Sequence, residues 1–163
     1  MTIRFLAVLL PALLLLTPAG ARALEVFACE PEWAALAAEL GGPDVEVFAA
    51  TTGRQDPHQI QARPALIARM RAADLVVCTG AELEAGWLHI LLRQGANPRV
   101  QPGSPGYFEA ASFVTLKELP VRLDRADGDV HAAGNPHIHT DPRNVALVAR
   151  ALGELLARLD PAH

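Results

Sequence analysis

The distribution of apolar residues along the chain predicts a series of short strands. Residues 24–28, 45–49 and 75–77 form apolar or alternating runs of strand length. Turn-forming residues follow them: Gly53 lies in the polar stretch after the second run, and Gly80 comes after the third. We therefore expect these three segments to be strands of one sheet.

Helices are predicted between these strands by apolar residues at helical spacing. Pro31 and Pro64 each fit the first turn of a helix, and a third helix is expected over residues 83–91. A fourth begins at Asp141-Pro142, where Asp caps the helix and Pro occupies its first turn. The alternation of strands and helices predicts an α/β fold with a mostly parallel sheet flanked by helices.

The segment between the third and fourth helices is rich in loops. Residues 102–106 (Pro-Gly-Ser-Pro-Gly) have the composition of a loop. Val100 is a candidate strand residue before that loop, and residues 113–116 are a candidate short strand after it.

The amino terminus has the pattern of a secretory signal peptide over residues 1–23. Arg4 precedes an apolar run over residues 5–16, and Ala21-Arg22-Ala23 has the small-x-small form of a cleavage site. The run is shorter than the roughly 20 residues that a membrane span needs. We expect cleavage after Ala23 and export of a chain that does not span the membrane, with an uncleaved anchor as the alternative.

Composition limits the classes of partner. The chain has 14 Lys and Arg against 18 Asp and Glu, a net charge of -4, and its cationic residues are scattered. Without a basic stripe, nucleic-acid binding is not indicated. The 140 residues that would remain of 163 after removal of 23 are enough for one domain with its own core.

Two cysteines remain in the predicted mature chain. Cys29 and Cys78 each follow a predicted strand, so they lie at the same edge of the sheet if those strands are parallel neighbours. Export to an oxidising compartment favours a disulfide between them. A pair of buried free thiols and a pair of soft metal ligands are the alternatives.

Two Pro-His pairs are the main candidates for chemistry. Asp56-Pro57-His58 and Asn135-Pro136-His137 each place an imidazole after a rigid, extended backbone unit in a loop. Two neutral imidazoles held in this way make half of a tetrahedral zinc site. Solvated loop histidines are the alternative for each of them.

Three segments together resemble the substrate-binding proteins of zinc and manganese ABC transporters. The first, at 52–58, is Thr-Gly-Arg-Gln-Asp-Pro-His, and the second, at 73–84, is Ala-Asp-Leu-Val-Val-Cys-Thr-Gly-Ala-Glu-Leu-Glu. The third, at 128–142, is Gly-Asp-Val-His-Ala-Ala-Gly-Asn-Pro-His-Ile-His-Thr-Asp-Pro. They stand in the order and at the spacing typical of this family of periplasmic metal receptors.

The resemblance implies two α/β lobes joined by a long helix, with the metal bound between them. Residues 24–142 would be the amino-terminal lobe and residues 143–163 the start of the inter-lobe helix, with the second lobe absent from this chain. His58 and His137 occupy the positions of the first-lobe ligands. The cargo would be Zn²⁺, or less favourably Mn²⁺, delivered to an inner-membrane ABC permease by a periplasmic protein that is not an enzyme.

Other polar residues near the two loops have less certain roles. Asp56 is expected to make hydrogen bonds within its loop, with orientation of the His58 ring as a further candidate role. His131 would be a labile ligand or, as favoured, a solvated loop residue. His139 would point away from His137 if that stretch is extended, and is expected to support a ligand or lie at the surface rather than bind the ion. Glu84 and Trp87 are expected to be packing and helix-surface residues.

Three alternatives to a functional receptor remain. An exported zinc-dependent hydrolase is disfavoured because the sequence lacks a His-Glu-x-x-His pair and a Gly-x-Ser-x-Gly elbow. The chain would otherwise be a truncated, non-functional half-receptor or a small exported protein without a metal role.

Overall fold

A computed structural model describes residues 22–120, 122 and 130–162 and contains a four-stranded, fully parallel sheet in the order β2-β1-β3-β4. Its strands are β1 (Leu24–Ala28), β2 (Val45–Ala49), β3 (Leu75–Cys78) and β4 (Tyr107–Glu109). The α/β fold class predicted from the sequence is confirmed. The predicted signal peptide falls almost entirely outside the described residues. Among the described residues, no helix combines the length and apolar character needed to cross a membrane.

Four α-helices connect and cover these strands within the described ranges. They are α1 (Pro31–Gly41), α2 (Pro64–Ala72), α3 (Leu88–Gly95) and α4 (Pro142–Leu159). Proline stands in the first turn of α1, α2 and α4, where its missing N–H is not needed. The Asp141 side chain caps α4 by accepting a hydrogen bond from the N–H of Arg143, as its sequence predicts.

The strands separate two apolar layers because successive side chains point to opposite faces of the sheet. Val26 of β1 and Val77 of β3 lie in the layer that contains α1 and α4, with the buried Leu152 of α4. Phe27 of β1 and Val76 of β3 lie in the layer that contains α2 and α3. Burial of each large side chain contributes about 1.5–3 kcal/mol, so the sheet is held from both sides.

The third helix is shorter than predicted: α3 begins at Leu88 rather than at residue 83. Residues 81–87 form turns instead, and Trp87, immediately before α3, has a φ of −143°, outside the helical range. The Glu84 carboxylate accepts hydrogen bonds from the N–H groups of Thr79 and Gly80 and stabilises the start of this segment. The helical spacing of residues 83–91 therefore includes a non-helical segment in which Leu83, Glu84 and Trp87 are buried.

The predictions for the strands after α3 are wrong. Val100 ends a 3-10 turn (Pro98–Val100), and residues 113–116 contain no strand because Ala110–Phe113 is another 3-10 turn. The observed strand β4 has only three residues, too few for a periodic pattern. It pairs with β3 and lies immediately after the predicted Pro-Gly-rich loop.

Candidate metal centre

The candidate ligands lie near the edge of the sheet formed by the carboxyl ends of its parallel strands. Cys29 follows β1, Cys78 ends β3, and the loop containing His58 follows β2. Loops at this edge are where open α/β sheets bind their ligands. The topology therefore places these candidate residues where a binding site is expected.

The two Pro-His pairs share one local structure. The backbone N–H of His58 donates to Asp56 Oδ1 at 3.0 Å, and the backbone N–H of His137 donates to Asn135 Oδ1 at 2.9 Å. Each is an Asx turn, in which a side-chain oxygen satisfies the N–H two residues later. Both imidazoles are thus attached to short, locally hydrogen-bonded turns.

Asp56 also determines which nitrogen of His58 is available to a ligand. Hydrogen bonds from the backbone N–H and then the ring of His58 lower the pKa of Asp56, which is therefore ionised and can only accept. His58 Nδ1 lies 2.8 Å from Asp56 Oδ1 and must donate its proton to it. With Nδ1 engaged by Asp56, Nε2 is the ring nitrogen of His58 that would bind a metal.

His131 lies against His58, although it is 73 residues away in the sequence. The two Nε2 atoms are 3.1 Å apart, and the rings stack at a centroid distance of 5.0 Å with an angle of 25° between their planes. Sequence analysis favoured a solvated role for His131, because nothing in the local pattern links it to the first Pro-His loop. The structure brings these two histidines together.

His137 is near this pair but is more exposed. Its ring centroid lies 6.2 Å from that of His58, with 70° between the ring planes. The three histidines do not form a group in which one ring nitrogen from each lies within 4.8 Å of the others. The exposed side chain of His137 has to move toward the other two rings before all three hold one ion.

His139 contacts α1 rather than the His58–His131 pair. The stretch from Ile138 to Thr140 is a 3-10 turn rather than an extended segment. The His139 ring stands perpendicular to Trp33 at a centroid distance of 6.5 Å. Its Nδ1 is 3.2 Å from Glu32 Oε1 but outside hydrogen-bonding geometry. Its ring centroid is 6.2 Å from that of His137.

A segment between β3 and α3 fixes the positions of both His58 and His131. Trp87 Nε1 donates to the carbonyl oxygen of Pro57 at 2.7 Å, immediately before His58. Glu82 Oε2 accepts from the N–H of Ala132 at 2.7 Å, immediately after His131. We refer to residues 79–87 as the β3–α3 turn. The Trp87 side chain is completely buried, so it packs inside the lobe, in agreement with the packing role expected for it.

A buried polar cluster lies beneath this turn and was not foreseen. Thr79 Oγ1 accepts from Trp33 Nε1 at 2.7 Å and donates to Glu30 Oε2 at 3.0 Å. Glu30 and Glu84 are only 3 % and 2 % exposed. Burial, followed by the charge of Glu84, raises the pKa of Glu30 to about 10, so this carboxyl is neutral at pH 7. Its proton is shared with Glu84, whose own pKa is raised by burial.

Cys29 and Cys78 form a disulfide across the neighbouring strands β1 and β3, with their Cα atoms 4.8 Å apart. Their sulfurs and a carboxylate oxygen of Glu84 lie within 4.8 Å of one another, in a geometry that would suit a metal. Metal ligation requires thiolates, and sulfurs bonded to each other do not provide them. The oxidised chain therefore has its available ligands at the histidine cluster.

The fold is that of a single α/β lobe, and comparisons with known proteins identify its family. The family model described as "ZnuA: Zinc-uptake complex component A periplasmic" matches residues 26–163. The chain belongs to this periplasmic zinc-uptake family, as its sequence motifs predicted. This is a family of substrate-binding receptors rather than enzymes.

Solved structures agree with this assignment. A zinc-bound deletion mutant of ZnuA is 27% identical, with a TM-score of 0.67, and the match covers 86% of this chain and 48% of that one. A ZnuA crystal structure is 25% identical with a TM-score of 0.66 and the same coverage. A manganese-bound periplasmic metal-binding protein from Candidatus Liberibacter asiaticus is similar in fold, with 18% identity, a TM-score of 0.66 and coverage of 84% and 46%.

The chain spans about half the length of the solved structures that it matches. No curated protein is similar enough to be matched to it. The comparisons therefore identify the family and the fold of one lobe. Which ion the lobe would bind, and through which residues, has to be inferred from the geometry of the histidine cluster.

Proposed function

We propose that this chain is the amino-terminal metal-binding lobe of a periplasmic receptor that captures zinc for an ABC permease of the inner membrane. The observation that supports the proposal is the pair of matching Asx turns that present His58 and His137 near one edge of the sheet. Their ring centroids are 6.2 Å apart, so a small rotation of the exposed His137 side chain would bring both to one ion.

The donor atoms favour zinc over manganese. Imidazole nitrogens suit zinc, copper and nickel, whereas manganese prefers carboxylate, carbonyl and water oxygens. The carboxylate of Asp56 accepts the Nδ1 proton of His58 and so acts on the ring rather than on the ion. Zinc is therefore the proposed cargo, and a site richer in oxygen ligands would be needed to favour manganese.

We also propose that residues 24–142 form this lobe and that α4 is the start of the helix that joins it to a second lobe. α4 is 18 residues long, and Val148, Leu152 and Leu155 on one side of it are buried against the lobe. Leu147, on another side, is 51% exposed. A helix with apolar surface beyond its own lobe fits an inter-lobe position.

A zinc titration tests the proposed function. Isothermal titration calorimetry on the metal-free chain should give a zinc affinity that His58→Ala and His137→Ala each weaken at least tenfold. His89→Ala is the matched control, since His89 is exposed on α3 and contacts Ala85 rather than the cluster. Unchanged affinity in both His58→Ala and His137→Ala would refute the receptor function.

A further inference from the structure

We infer that His131 ligates the same ion as His58, so that this lobe supplies three imidazole ligands. The inference rests on the proposed function and assigns a ligand to it that the Pro-His motifs do not contain. His58 and His131 bind the ion first, and His137 becomes the third ligand when its exposed side chain turns toward them.

The separation of the two nitrogens supports a shared ion. Zinc binds imidazole nitrogen at 2.0–2.1 Å, so two nitrogens on one tetrahedral zinc are about 3.3–3.4 Å apart. His58 Nε2 and His131 Nε2 are 3.1 Å apart. The observed separation is therefore within a few tenths of an ångström of the one that a shared zinc ion requires.

The nitrogens that face each other are also the ones that an ion would use. Nδ1 of His58 is engaged by Asp56, and Nε2 of His58 faces Nε2 of His131. A metal binds these two nitrogens when neither carries a proton, and any proton displaced by the ion passes to solvent.

Glu82 positions His131 through the backbone. Its carboxylate accepts the N–H of Ala132 at 2.7 Å and attaches the His131 segment to the β3–α3 turn. Gly80, Ala81 and Glu82 have φ values of 76°, 51° and 69°, a conformation that residues with side chains rarely adopt. The buried Glu84 holds this conformation through the N–H groups of Thr79 and Gly80, so Glu82 has a defined place.

Three imidazoles leave one position of a tetrahedral zinc open. A lobe with this ligand set holds zinc before any second lobe contributes, and the open position is available to water or to a ligand from another lobe. The inference therefore predicts measurable zinc affinity in this chain by itself, with a contribution from His131 comparable to that of His58.

The test compares His131→Ala with His58→Ala and the control His89→Ala in a zinc competition titration of the full chain. We expect His131→Ala to weaken zinc binding at least tenfold and His89→Ala to leave it unchanged. Glu82→Ala should weaken it several-fold, whereas Glu82→Gln, which keeps an accepting oxygen, should not. His131→Gln provides a second removal of the ligand with little change in size if His131→Ala fails to fold.

A spectroscopic readout separates ligation from a general loss of structure. In the wild-type chain, zinc should shift the ¹⁵N resonance of His131 Nε2 as it shifts that of His58 Nε2. Unchanged affinity in His131→Ala or His131→Gln, with no zinc-dependent shift at His131, would overturn the inference and leave the proposed function standing if His58→Ala still weakens binding. If neither the His131 variants nor His58→Ala weaken zinc binding, the proposed function is overturned as well.

Discussion

Replacing Glu30 with glutamine should remove the part of the pH dependence of folding that Glu30 contributes between about pH 5.5 and pH 8. Glu30 is 3 % exposed, and its Oε1 receives no hydrogen bond from any N–H or O–H donor of the described residues. Glutamine keeps an oxygen to accept from Thr79 and adds an N–H that donates to Glu84. The variant therefore preserves the contacts of the protonated acid without a titrating group.

The magnitude follows from where the proton is bound. Unfolded, Glu30 ionises near its ordinary pKa of 4.5, whereas burial and the adjacent Glu84 raise the folded pKa to about 10. The contribution of Glu30 to stability is greatest below its pKa in the unfolded chain. It falls as the pH rises toward the pKa of Glu30 in the folded chain, because the folded chain keeps a proton that the unfolded chain has lost. Each pH unit in this window costs about 1.4 kcal/mol, or about 3 kcal/mol between pH 5.5 and pH 8.

Urea denaturation in the presence of a chelator provides the assay, because bound zinc would add its own pH-dependent stability. At pH 8 the Glu30→Gln chain should exceed the wild type in free energy of unfolding by about 3 kcal/mol more than at pH 5.5. Glu39→Gln, which removes an exposed carboxyl from the same helix α1, is the control and should leave the wild-type slope intact. Parallel pH profiles for wild type and Glu30→Gln would refute the shared-proton interpretation.

Two further predictions concern the disulfide and the orientation of His58. The disulfide joins residues 49 positions apart in the sequence and so restricts the unfolded chain. The double variant Cys29→Ala/Cys78→Ala should therefore lose about 4 kcal/mol of free energy of unfolding, measured by urea denaturation. A loss below about 1 kcal/mol would contradict a disulfide-stabilised lobe. Asp56→Ala should weaken zinc binding about 10- to 100-fold by releasing the His58 ring, and wild-type affinity in a calorimetric titration would exclude that orienting role.

The sequence predicted the elements whose patterns are local. β1, β2 and β3 are continuous apolar or alternating segments, and proline marks the first turn of α1, α2 and α4. β4 was not predicted, because its three residues pair with β3 in the folded chain but have no periodic pattern of their own. Local periodicity therefore identified the sheet and three of the helix starts, but not the strand at its end.

The site was predictable to the same extent. Each Pro-His pair contains its own Asx turn, so His58 and His137 were identifiable from adjacent residues. His131 was not, because its contact with His58 spans 73 residues and depends on how two loops meet. Glu30 and Glu84 were missed for the same reason: a carboxyl beside a helix start normally faces solvent, and only the fold encloses both.

The helix boundary that the sequence missed accounts for much of the site geometry. Residues 83–87 are turns rather than helix, and Glu82 before them has a positive φ and accepts the N–H of Ala132. In the observed β3–α3 turn, Glu82 holds the His131 segment and Trp87 holds the carbonyl of Pro57 beside His58. Both members of the imidazole pair are thus attached to one short segment, itself stabilised by Glu84. Ligands fixed in this way lose little conformational entropy when an ion binds, so the cost of ordering the site has been met during folding.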